Sequence, residues 1–415
     1  MSGVTPPVQA DALLGRSQAV AVFLAFAFAY FFSALLRAVT ATLAPTLTQE
    51  FALNARELGL LAGGYFLGFA ATQLPLGTWL DRHGPRKVVL GLLLVAVAGC
   101  IAFSLATSFS GLLVARVLCG AGVSACLMAP LTGYRRWLTP GTQLRANSWM
   151  LMTGSFGMVA STLPVQWLVP LAGWRPLFWL LAAAIGVAMV VIAWQVPRWE
   201  TAPAAGERAG SYAQVWKHPY FRRMAPVGFF SYGGMIAIQT LWAGPWMVRV
   251  AGYAPVEAAA GLFTINLGML CAFWSWGLLN PWLARRGLPA ERLIALGLPL
   301  SFLALATIII AGPSAGAGAW AMFCITSTFV SLAQPAVGMA FAPALAGRAL
   351  SAYNLVIFGG VFLMQWGMGV AIDAFAAAGL DTVASFRAAM ALFLACSVAA
   401  YGWFMAAQRH NPGPP

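Results

Sequence analysis

The chain has 415 residues, is 61% hydrophobic and only 8% charged, and carries a formal charge of +13. So few polar residues cannot cover a water-soluble globule of this size, which excludes a soluble enzyme and calls for lipid as the solvent. The positive balance would suit nucleic acid only if it formed a basic patch on a soluble fold, so nucleic acid is not expected as a partner.

The first fifteen residues hold Pro6, Pro7 and Asp11 but no basic stretch leading into a short apolar run and a small-residue cleavage site. No secretory signal is expected, and the first hydrophobic segment stays in the product. Apolar runs then give twelve candidate spans at roughly 18–46, 57–80, 86–107, 111–134, 147–170, 175–196, 223–248, 256–283, 292–312, 316–341, 349–375 and 384–407. An α-helix needs about 20 residues to cross ~30 Å of hydrocarbon. Backbone groups in lipid must bond within their own segment, so the runs are helices. The short alternating segments of a β-barrel are absent. The expectation is an all-α membrane protein of twelve transmembrane helices in two six-helix halves, 18–196 and 223–408, with tails at 1–17 and 409–415.

Between the halves lies the longest polar stretch, 197–222, rich in Pro, Ala, Gly and charge, which reads as a linker. Within it Tyr212-Ala213-Gln214-Val215-Trp216 suits either a short interfacial helix or an unstructured segment. Cys100, Cys119, Cys126, Cys271, Cys324 and Cys396 all fall in apolar runs without metal or redox spacing, so they read as small core residues with no disulfides.

With the N-terminus inside, the inner loops and tails collect seventeen basic residues, among them Arg82, Arg86, Lys87, Arg135, Arg136, Arg222, Arg223, Arg285, Arg286 and Arg348. Only Arg56, Arg175, Arg249 and Arg387 lie outside. That asymmetry orients the chain with both termini cytoplasmic, as expected for an inner (plasma) membrane protein, and proximity to anionic lipid explains most of the net charge. The halves also look like repeats. Arg145-Ala146-Asn147-Ser148 after the fourth span matches Arg348-Ala349-Leu350-Ser351 after the tenth, Arg82-His83-Gly84 matches Arg285-Arg286-Gly287, and Pro130 matches Pro335 at a similar spacing.

The loop between spans two and three reads Gly77-Thr78-Trp79-Leu80-Asp81-Arg82-His83-Gly84-Pro85-Arg86-Lys87. It resembles the signature loop of the major facilitator superfamily, with every defining position filled. Gly77 admits a neighbouring helix, Gly84 a tight turn, and Asp81 an ion pair or the positive N-terminus of a helix across the half interface. The resemblance implies that Gly77, Asp81, Arg82, Gly84, Arg86 and Lys87 latch one state of an alternating-access cycle. The matching loop of the second half has Ala284 in place of the acid, so one latch is expected. Arg116 with Gly120 and Gly122 in span four, and Trp174-Arg175-Pro176-Leu177-Phe178 opening span six, are further family-like marks. Span five lacks the Gly-Pro element of proton-driven drug exporters.

Ionisable groups inside a membrane are costly, so they default to functional candidates. Arg37 in span one and Arg116 in span four are such groups. Among the acids only Asp373 comes near a span, at the outer end of span eleven, which makes it the one possible proton site. An arginine without an acidic partner suits a ligand that brings the negative charge, since its planar fork matches carboxylate or phosphate. The alternative is that Arg37 snorkels to the outer interface, and for Arg116 packing is the preferred reading. Arg37 also stands eight residues before Pro45 in a segment that looks like the first span of organophosphate and organic-anion transporters, whose glycerol-3-phosphate branch binds phosphate through the matching arginine. A second arginine completes that site in span seven, where this chain has Ala237, so a larger or singly charged organic anion fits better than a phosphate ester.

Tyr30, Tyr65, Gln239, Trp242, Asn354 and Gln365 complete the expected substrate contacts. Neither a nucleotide-binding loop nor a metal-ligand cluster is present, so no cofactor and no enzyme activity are expected. The reading is a monomeric secondary transporter for a small organic anion, with membrane lipid as its other partner. The alternatives are an efflux pump for amphipathic compounds and a non-transporting receptor or assembly protein.

Overall fold

A computed structural model of the chain describes residues 13–199 and 211–410, and among them every regular element is helical. The middle of the linker segment and most of both tails lie outside the described residues. Helix α1 (Arg16–Phe51) ends at Ala52, whose φ of 50° turns the chain. Helix α2 (Ala55–Leu105) opens on a capping box, in which the Asn54 side chain accepts from the Glu57 amide and the Glu57 carboxylate accepts from the Asn54 amide. At 51 residues it is about 76 Å long by a rise of 1.5 Å per residue, more than twice the hydrocarbon thickness. It therefore holds two crossings, divided at Gly84, whose φ of 77° favours glycine, and at Pro85.

Helices α3 (Phe109–Val123) and α4 (Met128–Trp137) form the next crossing, α5 (Pro140–Ala160) and α6 (Leu163–Ala172) a bent one, and α7 (Trp174–Gln195) the last of the first half. After the linker comes α8 (Tyr212–Lys217), a helix capped by Ser211 and Gln214, so residues 212–217 are not unstructured. Helices α9 (Pro219–Pro226), α10 (Gly233–Ala237) and α11 (Ala243–Arg249) are one crossing interrupted by π turns at Val227–Tyr232 and Ile238–Trp242. Then follow α12 (Pro255–Arg285), α13 (Ala290–Ala311), α14 (Ala317–Ser327) with α15 (Ala333–Met339), α16 (Pro343–Ala377) and α17 (Thr382–His410). Among the described residues nine helices are long and apolar enough to cross a bilayer, and the bent α5–α6 pair makes a tenth. The double length of α2 and the interrupted α9–α11 bring this into line with the expected twelve.

Two apolar clusters fill the interior. One runs from Val22 to Val196 and borrows Ala237 and Val361; the other runs from Val215 to Phe404 and borrows Ala41, Ala44, Ala55, Leu58 and Ala62. The borrowed residues mark where the halves interlock. Cys100, Cys119, Cys126 and Cys324 are buried and Cys396 is partly so, but Cys271 is exposed, which corrects the reading of all six as core residues. Lipid accepts an apolar side chain as readily as the interior does, so hydropathy alone cannot tell the two faces of a membrane helix apart.

One end of the bundle carries Gly84, Trp199, Arg222 and Trp403 and is called here the motif end; the opposite end carries Glu50, Arg175 and Asp373. Toward the motif end α4 packs chiefly on α1, α2 and α5, and α15 on α9, α13 and α16, so each keeps to its own half. Toward the other end α1, α2 and α5 meet α11, α16 and α12 across the half interface. The halves thus pinch together at the Asp373 end, while toward the motif end α2 still meets Ser351 of α16 and the Tyr212 hydroxyl of α8, which donates to the Leu74 carbonyl at 3.3 Å.

Candidate functional site

Arg37 lies 14 residues before the end of α1, roughly 21 Å along the helix axis. Its guanidinium carbon sits 5.9 Å from the ring centre of Phe69 on α2 and 6.0 Å from that of Phe358 on α16, so both halves contribute to its cage. It also interacts with the hydroxyls of Tyr65 and Tyr30. Its Nε is buried without a hydrogen-bond partner. The ion pair between Arg175 and Glu50, at 2.6 Å, is the only one among the described residues, so no carboxylate neutralises Arg37. The guanidinium is placed among rings at the junction of the halves and not at the helix end.

Small residues build this corner. A Cβ on Gly120 of α3 would overlap the Tyr65 carbonyl, and one on Gly154 of α5 would press on the Tyr30 ring at 2.5 Å. Such contacts let helices approach closely where lipid offers no hydrophobic drive. One turn before Gly120, the fully buried Arg116 lies 5.0 Å from the Tyr65 ring centre and donates to the carbonyls of Leu36 at 2.8 Å and Arg37 at 3.5 Å. Carbonyls of α1 therefore take two nitrogens of Arg116, which fixes α1 at Arg37, while the Arg116 Nε is buried without a partner. The Tyr65 hydroxyl donates to the Ser33 carbonyl at 3.1 Å.

The remaining polar candidates are not gathered at Arg37. Gln239 donates to Asn266 at 2.8 Å, the Trp242 indole to the Gln365 carbonyl at 3.1 Å, and the Gln365 amide to Thr240 at 2.9 Å. Asn354 accepts from Gln334 at 2.6 Å. These bonds join helices of the second half, and Gln239 also reaches the Met158 Sδ of α5 at 4.0 Å. Phe69 and Phe358 escaped a sequence search aimed at polar and ionisable side chains, and only their place beside a cation singles them out.

From this cluster toward the Asp373 end the halves seal in layers. Phe69 and Phe358 touch with ring centres 4.5 Å apart. A Cβ on Gly63 would meet the Phe362 ring at 3.0 Å, while on Gly59 it would overlap the Gln365 carbonyl and come within 3.2 Å of Trp242. A Cβ on Gly369 would overlap the Ala55 carbonyl. At the rim the Asp373 carboxylate accepts from the amides of Ala55 at 3.2 Å and Arg56 at 2.7 Å, so α16 caps the N-terminus of α2 across the interface.

In the motif loop, Trp199 packs so closely on Gly84 that a Cβ would overlap it, and Arg86 donates to the Ala193 carbonyl. Gly77 faces Ser351 of the other half, with 4.0 Å from its would-be Cβ to the hydroxyl. Asp81, Arg82 and Lys87 are exposed, and Asp81 makes no ion pair among the described residues. Among those residues no cluster of His, Cys, Asp and Glu has the grouping to hold a metal.

Residues 26–365 match the family described as Major Facilitator Superfamily. Among curated proteins, the chain is 27% identical over 256 residues to a "Probable sulfoacetate transporter" of Cupriavidus necator, covering 57% of this chain and 58% of that one. It is 24% identical over 331 residues to the "3-(3-hydroxy-phenyl)propionate transporter" of Escherichia coli, covering 72% and 76%. To the "Gallate transporter" of Pseudomonas putida the identity is 25%, covering 59% and 62%. The chain spans about half the length of several curated relatives it matches. Among solved structures, a bacterial homologue of the human lysosomal transporter Spinster, in an inward-facing and unoccupied conformation, superposes with a TM-score of 0.75 at 18% identity over 95% of this chain and 98% of that one.

Proposed function

This chain belongs to the Major Facilitator Superfamily, and we propose that it is a secondary active transporter that moves a small organic anion across the inner membrane by exposing Arg37 to each side in turn. The observation that carries this reading is the Arg37 guanidinium itself, held between the halves with its Nε unpartnered and no carboxylate beside it. An uncompensated cation at membrane depth is costly, and an anionic solute offsets that cost when it binds. The surrounding rings of Tyr30, Tyr65, Phe69 and Phe358 favour a flat or partly apolar anion over a bare inorganic one. Relatives named for sulfoacetate, gallate and 3-(3-hydroxy-phenyl)propionate support the same class.

The distribution of arginines supports a cytoplasmic motif end, and with the Asp373 end sealed this conformation is closed to the outside. The glycine-lined seal is then the outer gate, and the unengaged Asp81 belongs to a latch that closes with the inner gate. Purified protein in proteoliposomes, offered a panel of radiolabelled organic anions, tests the reading. One member of the panel should be taken up. Arg37→Ala should abolish that uptake, and Arg37→Lys should restore it only in part, because a point charge replaces a fork. Normal uptake by Arg37→Ala would remove the site.

A further inference from the structure

The start of α9–α11 leaves a groove of about 460 Å³ on the outside of the bundle at the motif end. Its walls include Trp216 of α8, Phe229 and Phe230 of the first π turn, Val356 of α16 and Trp403 of α17, and Arg222 of α9 stands at its mouth. The walls are fixed in place. The Trp403 indole donates to the Arg222 carbonyl at 3.2 Å, Trp216 packs edge-on to Phe221 with ring centres 5.0 Å apart, and Phe229 and Phe230 brace each other at 4.9 Å.

The chemistry of the groove is divided by depth. The trough is apolar, while Trp216 and Trp403 are 41% and 53% exposed and lie at the level where tryptophan marks the membrane interface. The Arg222 side chain is exposed and has no ion-pair partner among the described residues, and exposed Lys217 adjoins Trp216. Neighbouring Arg223 is buried, donates from Nε to the Phe404 carbonyl at 3.2 Å and covers the Phe404 ring, so it points into the bundle and not to the groove mouth. An apolar trough open to the bilayer, with unpaired cations at its interfacial end, fits one class of occupant.

We propose that this groove is a binding site for an anionic phospholipid, its phosphate on Arg222 and Lys217 and an acyl chain along Phe229, Phe230 and Val356. Charge complementarity selects the anionic headgroup, since a zwitterionic lipid brings its own ammonium to the same place. The site does not depend on which solute is carried.

Native mass spectrometry of the full chain in detergent, titrated with phosphatidylglycerol or phosphatidylcholine of identical chains, tests the assignment. Wild type should bind phosphatidylglycerol on the order of tenfold more tightly, the scale expected of one or two surface cations. Arg222→Gln, an exposed change that leaves packing intact, should bring the two lipids to equal affinity, while Arg249→Gln at the opposite end should keep the preference. Val356→Trp, which fills the trough, should weaken both lipids. Equal binding of the two lipids by wild type, or an undiminished preference in Arg222→Gln, would overturn the site. Displacement of the lipid by glycerol phosphate at similar concentration would also overturn it, by showing a soluble-phosphate site without an acyl trough.

Discussion

Replacing Asp373 with Ala removes the side chain that caps α2 from the opposite half. The carboxylate accepts from Ala55 at 3.2 Å and Arg56 at 2.7 Å only while the halves are closed at this end, so its loss acts on one state of the cycle. Asn54 still caps through the Glu57 amide, and water replaces Asp373 at the partly exposed rim, so the loss is that of one helix cap, about 1 kcal/mol with a range of ~0.5–2. This shifts the ratio of closed to open conformers by about fivefold, and by roughly 2-fold to 30-fold over that range. Spin labels on exposed Gln49 of α1 and Ala376 of α16, after Cys271→Ser removes the exposed native thiol, report the separation of the halves by electron paramagnetic resonance. The long-distance population should grow several-fold in Asp373→Ala and less in Asp373→Asn, which keeps one amide oxygen as an acceptor. An unchanged distribution in Asp373→Ala would show that the rim contact does not hold the gate.

Gly59→Val places a side chain against the Gln365 carbonyl and the Trp242 ring, so the same labels should report a mainly open Asp373 end and uptake should be lost from a folded, monodisperse protein; a closed gate with normal uptake would refute the glycine seal. Asp81→Asn alters an exposed side chain with no ion pair in this conformation, so thermal stability should stay within about 0.5 kcal/mol while turnover falls. Loss of substrate binding with preserved turnover would sink the latch reading. Among the described residues every Asp and Glu stands in a loop, near a helix end or, for Asp81, beside the Gly84 break of α2, and the histidines are His83, His218 and His410. Uphill uptake of a permanently charged sulfonate should therefore need a counter-anion gradient, and strong accumulation driven by a pH gradient alone would contradict that.

Membrane helices, their approximate crossings, the signature loop and the isolated cation at Arg37 were all legible without coordinates, because each follows from local chemistry. A run of apolar residues long enough for the bilayer must be helical, Gly84 announces its turn by having no Cβ, and a lone arginine in hydrocarbon is conspicuous in any context. Gln239, Trp242, Asn354 and Gln365 read as solute contacts, and in this conformation they bond to Asn266, to the Gln365 backbone, to Gln334 and to Thr240, with the Gln365 Oε1 left without a partner. An amide on an apolar helix satisfies itself with whatever faces it, and the facing residue is set by helix rotation, which hydropathy does not encode when lipid and interior are both apolar. Asp373 stood out as an acid near a span, but its engagement with the α2 amides depends on two segments more than 300 residues apart meeting in one conformation. The aromatic cage around Arg37 has the same origin. Phe69 and Phe358 are ordinary hydrophobic residues in their own helices, and only the docking of α2 on α16 turns them into the faces that hold a buried cation.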